Sequence, residues 1–151
     1  MDARVSDNPF GRSITADDIV DTLGFFDSWE DRYKYIIDLG KELPDMPDDL
    51  KTDDRLIRGC QSQVWLETEK HADSFEFQAD SDAFIVKGLL GVILAAYNNK
   101  AANEILAFDI EQYFEQLDLL RHLSPTRGNG LRAMVQRIRD IAADKAAGQA
   151  G

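Results

Sequence analysis

The sequence predicts an α+β domain, on three observations. Apolar residues recur at helical spacing between Ile19 and Ile37. The period falls to two between Val64 and Phe77, and helical spacing returns from about Gly88 to Ile141. Short links between the middle segments favour an antiparallel sheet, because parallel neighbours would need long crossovers. The expected fold is a small three-stranded antiparallel sheet packed against several helices. A chain of 151 residues fits one such domain with a substantial core.

Residues 1–14 read as a flexible arm, because the opening Met1-Asp2-Ala3-Arg4-Val5-Ser6-Asp7 is polar and acidic. The single domain is expected over 15–146, with a frayed, small-residue tail over 147–151. The first helix is expected to start at Thr15, where Thr15 and Asp18 have capping-box spacing. Ile19, Val20, Leu23 and Phe26 then share a face. Ser28 and Asp31 repeat the start signal for a second helix, with Trp29, Tyr33, Ile36 and Ile37 on one side and Gly40 as its stop. Pro44 and Pro47 break regularity, and 48–58 reads as irregular.

Three short strands are expected around Val64–Leu66, Phe75–Phe77 and Ala83–Val86. A broad apolar helix then runs from Gly88 through Leu89, Leu90, Ile93, Leu94 and Tyr97 to Asn98-Asn99. Shorter helices follow at Ala102–Ala107 and Ile110–Leu117. Ser124-Pro125 opens a last long helix that buries Leu131, Met134, Val135, Ile138 and Ile141.

Net charge is -11 and the pI about 4.5. Such a surface repels phosphate backbones and anionic lipid, which argues against nucleic-acid and membrane-surface binding; it fits basic protein partners or simply a soluble, self-repelling surface. The most apolar run, Ala83 to Tyr97, is interrupted by Lys87 and is shorter than the ~20 residues a span needs. The absence of an early apolar run, together with a free thiol, leads to the expectation of a cytoplasmic protein.

Cys60 is the only cysteine. An intramolecular disulfide and a four-cysteine metal site are therefore excluded. Cys60 follows Gly59 in an expected loop, with Arg55 and Arg58 nearby in sequence. Two readings stand at this point: a buried, inert thiol, or a displayed nucleophile whose thiolate is favoured by local positive charge. His71 and His122 have no metal-ligand spacing with Cys60 or each other. His71 reads as solvated and His122 as a packing residue, although a Cys–His hydrolase dyad could use either. Asp80 and Asp82 fit a metal pair or, more simply, Asx-type turns. Arg127 opposes the dipole of the last helix, and Gly128 and Gly130 weaken that helix's first turns; close packing or a bound partner or anion would account for the glycines, and either a functional role or pairing with a nearby carboxylate for Arg127. No metal or cofactor site is expected on this chain.

Several strings taken together resemble the SufE-type sulfur acceptors, the group that also includes CsdE. They are Trp29-Glu30-Asp31-Arg32-Tyr33, Leu39-Gly40 and Leu43-Pro44; Arg58-Gly59-Cys60-Gln61-Ser62-Gln63-Val64-Trp65-Leu66; Asp80-Ser81-Asp82-Ala83 and Ile85-Val86-Lys87-Gly88-Leu89; and Leu123-Ser124-Pro125-Thr126-Arg127 with Gly130-Leu131. The resemblance spans roughly residues 15–145. It implies an α+β fold shared with NifU/IscU-type scaffolds. It also implies a non-enzymatic carrier whose Cys60 takes persulfide sulfur from a PLP-dependent cysteine desulfurase of SufS or CsdA type and stimulates that enzyme. PLP belongs to the partner. The sulfur then passes to an iron–sulfur assembly scaffold of SufBCD type. Gly59 and Gln61 flank the carrier, and Asp82, Glu115 and Arg127 fall where the family has residues around this loop or in desulfurase docking. Two alternatives are a thiol hydrolase pairing Cys60 with a histidine and an assembly scaffold holding iron itself, for which one thiolate is a poor ligand set.

Overall fold

The computed structural model describes residues 8–57, 59, 62–71 and 73–150, with backbone alone for His71 and residues 145–150. Helix α1 covers Ala16–Leu23, and its capping box is complete. Asp18 N donates to Thr15 Oγ1 at 3.2 Å, and Thr15 N donates to Asp18 Oδ2 at 3.0 Å. Helix α2, Trp29–Glu42, is capped by Ser28, whose Oγ accepts from Asp31 N. A 3-10 turn at Asp48–Leu50 follows. Strands β1 (Val64–His71) and β2 (Ser74–Ser81) precede helix α3 (Phe84–Tyr97) and the two-residue strand β3 (Lys100–Ala101). Helices α4 (Ala102–Ala107), α5 (Ile110–Leu117) and α6 (Pro125–Ala150) complete the order.

The sheet is antiparallel in the order β1-β2-β3, with Val64 opposite Ser81, His71 opposite Ser74 and Phe75 opposite Lys100. The fold class is α+β, as expected, but the third strand is not Ala83–Val86. Those residues lead into and open α3. Ile85 and Val86 have strand propensity, yet every α3 residue from Gly88 to Tyr97 is buried, as are Ile85 and Val86 themselves. For a helix surrounded by protein, burial outweighs the modest cost of β-branched residues. The third strand instead forms after Asn99, whose positive φ of 62° reverses the chain and lets its N donate to Phe75 O at 2.7 Å.

Helix α3 is the core around which the other elements pack. Helix α2 crosses it at Gly40 and Gly88. A Cβ at Gly88 would lie 2.1 Å from Ile36 O, and one at Gly40 would lie 2.8 Å from Gly88 N. Gly40 is therefore no stop signal: α2 runs on to Glu42, and the glycine allows two backbones to touch.

The arm expected over 1–14 is anchored from Asn8 onward. Phe10 is fully buried against α3, and Asn8 donates to Phe77 O. The fully buried Asn98 carboxamide accepts from Phe77 N at 2.7 Å and donates to Phe10 O at 3.2 Å, bonding the arm, β2 and the end of α3 together. Among the described residues no helix is long and apolar enough to cross a membrane.

Candidate functional site

The chain before Cys60 lies along the outer edge of β1. Leu66 N donates to Arg55 O at 3.0 Å, Leu56 bridges Trp65, and Ile57 N donates to Val64 O at 2.8 Å. These bonds hold both ends of the six-residue connection 58–63. Within it, Arg58, Cys60 and Gln61 lie outside the described residues. Gly59 is exposed with φ +91°, a conformation that side-chain-bearing residues seldom adopt. A Cβ there would come within 3.3 Å of Ala133 Cβ on α6. One turn further along α6, Arg137 donates to Asp54 O at 3.0 Å. Helix α6 thus supports the approach to the loop at two points on one face.

Asp82 fastens the far end of the connection. Gln63 N donates to Asp82 Oδ1 at 3.1 Å, and Asp82 N donates to Gln63 O at 3.3 Å. Asp82 is exposed, whereas Asp80 is buried and has a different role. Its carboxylate accepts from Ser81 N and Met46 N and meets Lys51 and Lys87, each at 3.4 Å. Lys51 also lies over the Trp65 ring. Lys87 reaches Asp45 at 2.9 Å, and that hydrogen bond and charge hold the Asp45 carboxyl below its usual value. Asp80 therefore ties the 45–51 segment to the start of α3. Among the described residues no cluster of three or more His, Cys, Asp or Glu could hold a metal ion. Lys51 and Lys87 were missed as members of this network by sequence reasoning. The available signal was Lys87 itself, since a lysine within an otherwise apolar helix needs a carboxylate partner.

The remaining expected residues lie on other elements. Arg127 is half-buried in the first turn of α6, where its N donates to Ser124 Oγ at 3.2 Å. Its guanidinium has no ion-pair partner among the described residues, so a local carboxylate does not account for its placement against the helix dipole. Glu115 is exposed on α5 and lines a groove of about 330 Å³ with Phe114, Asp118 and Arg132. A second groove, of about 440 Å³, lies between α5 and α6. Neither is lined by Gly59, Gln63 or Asp82. Gly59 and Asp82 are thus brought to the two ends of one loop, while no contact among the described residues joins Glu115 or Arg127 to it. His122 stacks on Trp29 at 4.2 Å between ring centroids and meets Asp118 at 3.3 Å. It is a packing residue, as the sequence suggested; the side chain of His71 lies outside the described residues.

Residues 17–142 match the family described as SufE, the Fe-S metabolism associated domain. The chain belongs to the SufE family. Two curated relatives are similar over nearly their whole lengths. An uncharacterized SufE-like protein of Rhizobium etli is 46% identical over 135 residues, covering 87% of this chain and 91% of the relative. Another, of Rhizobium meliloti, is 45% identical over 130 residues, covering 83% and 93%. The solution structure of a hypothetical protein from Thermus thermophilus superposes with a TM-score of 0.71. It shares 13% identity and covers 87% of this chain and 96% of that one, a likeness of fold alone. Family membership ties this SufE-family chain to iron–sulfur metabolism.

Proposed function

We infer that the protein accepts sulfur as a persulfide on Cys60 from a PLP-dependent cysteine desulfurase, activates that enzyme, and delivers the sulfur to an iron–sulfur assembly scaffold. In the transfer step the Cys60 thiol loses its proton to solvent. The thiolate then attacks the outer sulfur of the donor's persulfide. A bond forms between Cys60 Sγ and that sulfur as the donor's own sulfur–sulfur bond breaks, and the electron pair leaves on the donor cysteine as thiolate. No net oxidation occurs, and PLP stays on the donor.

The observation carrying this reading is the loop. The chain's only cysteine follows an exposed, left-handed glycine in a short connection whose ends are fixed by Ile57–Val64 and Gln63–Asp82. Fixed ends around an exposed glycine suit a group that must meet a sulfur on another macromolecule. A single thiol also suits it, because a second one nearby would resolve the persulfide into a disulfide. Asp82 fixes the loop's foot, Gln61 flanks the carrier, and Glu115 and Arg127 serve docking. His122 is committed to Trp29 and Asp118, which gives the hydrolase reading no support.

The test is mass spectrometry after incubation with a SufS-type desulfurase, PLP and free cysteine. One added sulfur is expected on the Cys60 peptide, removable by a reductant, and Cys60→Ser should lose both the adduct and the stimulation of the desulfurase. An unmodified Cys60 peptide beside an active donor refutes the reading.

A further inference from the structure

Helix α3 is buried almost throughout, but its first residue is not. Phe84 is 78% exposed, and Phe25 is the other large apolar side chain exposed to this degree among the described residues. Position distinguishes Phe84. It stands two residues after Asp82, whose backbone and side chain both hold Gln63 at the foot of the Cys60 connection. Two residues of chain span at most about 7–8 Å.

A macromolecule placing a persulfide against Cys60 covers more than the loop. A specific interface buries about 800 Å² on each partner, a patch on the order of 30 Å across. On the reading above, Phe84 falls within that footprint. A large aromatic ring that is exposed in the free protein and covered in the complex has the character of an interface anchor.

The charges tied to this corner are mainly acidic. Asp82 precedes Phe84. Asp45, with its carboxylate 85% exposed, is held by Lys87 one helical turn after the ring. The fully exposed carboxylate of Asp48 meets Lys51, which also binds Asp80.

We propose that Phe84 is the aromatic anchor by which the protein docks on its persulfide donor, inserting into an apolar pocket rimmed by basic side chains that face Asp45, Asp48 and Asp82. This inference rests on the sulfur-acceptor reading and adds the residue that sets affinity for the donor. Phe84 is a docking residue and takes no part in the bond exchange.

The test follows persulfide formation on Cys60 against acceptor concentration, with a SufS-type desulfurase preloaded from free cysteine. Phe84→Ala should raise the concentration for half-maximal transfer about tenfold or more. The rate at saturating acceptor, alkylation of Cys60 by iodoacetamide and the melting temperature should stay as in the unsubstituted protein. That pattern marks lost binding without lost chemistry. Phe25→Ala should leave all four readouts unchanged. Raising the salt should weaken half-saturation of the unsubstituted protein, and Asp45→Asn with Asp48→Asn should flatten that dependence. Unchanged half-saturation in Phe84→Ala, or an equal effect of Phe25→Ala, overturns the anchor while leaving the sulfur-acceptor reading intact. Salt-independent half-saturation overturns the basic rim. If the unsubstituted protein gains no sulfur, both readings fail together.

Discussion

Replacing Gly88 with alanine should destabilise the protein although alanine is the better helix former. The new Cβ would lie 2.1 Å from Ile36 O and 2.7 Å from Ile36 C. Both are backbone atoms of α2, so no side-chain rotation relieves the clash. To restore an ordinary 3.4 Å contact, α2 must slide off α3, which loosens the buried Ile36 and Leu39 on the same helix. A clash with backbone atoms that cannot rotate away belongs at the upper end of the overpacking range, about 3 kcal/mol, against a helix-propensity gain of at most about 1 kcal/mol. The net expectation is a loss of about 2 kcal/mol. For a chain of this length each kcal/mol shifts the melting temperature by about 2–4 °C, so Gly88→Ala should lower it by about 4–8 °C. Gly128→Ala in α6 is the matched control. Its Cβ meets nothing nearer than Leu120 Cδ2 at 4.0 Å. Relief of glycine's entropic penalty should stabilise it by about 0.5–1 kcal/mol. Thermal and urea unfolding of the two variants should therefore move in opposite directions. A neutral or stabilising Gly88→Ala would refute the close crossing of α2 and α3.

Asn98→Ala removes the carboxamide that bonds Phe77 N and Phe10 O, leaving buried backbone groups unpaired. It should cost about 2–4 kcal/mol, and limited proteolysis should then cut near residues 8–14 in the variant before the unsubstituted protein; equal cleavage would show that the arm is held by other contacts. The Asp45–Lys87 pair should make stability weakly dependent on pH. Asp45's folded value lies below the ordinary 3.8, so its contribution is present above that pH and disappears as pH falls through the folded value. Burial alone would depress Lys87, but its bonds to Asp45 and Asp80 raise it above the ordinary 10.5, so its contribution is present below that pH and is lost as pH rises through the folded value. Because Asp45 is largely exposed, the effect should be no more than about 1 kcal/mol. The stability difference from Asp45→Asn should be flat across neutral pH and close below about pH 4; a difference that persists in acid would assign it to something other than this pair.

The helix starts were legible because their signals are local. Thr15 with Asp18, Ser28 with Asp31, and Ser124 before Pro125 satisfy nearby backbone donors wherever the helix later packs. The errors arose where a distant neighbour decides. Ile85 and Val86 look like strand until the whole run to Tyr97 is seen to be enclosed. A two-residue strand such as Lys100–Ala101 leaves no period to detect. Gly40 has the composition of a stop, and only Gly88 across the interface shows it to be a crossing. Phe10 lies in a polar stretch whose buried partner, Asn98, is 88 positions away. At the site, Gly59 and Asp82 were named from the sequence, and the structure brings them to opposite ends of one connection. The Asp80–Lys51–Lys87 network escaped notice because it joins three separated segments.

The fastening around the 58–63 connection has two tiers of unequal strength. The outer tier, Gln63 with Asp82, is a surface pair worth about 0.5–1.5 kcal/mol per bond. The inner tier, Ile57 with Val64, is sealed within apolar side chains. Thermal energy alone can release the first for brief intervals while the second stays closed. Opening the outer tier alone therefore costs far less than separating Ile57 from Val64, and the buried pair keeps the flanking chain in register with β1 while it happens.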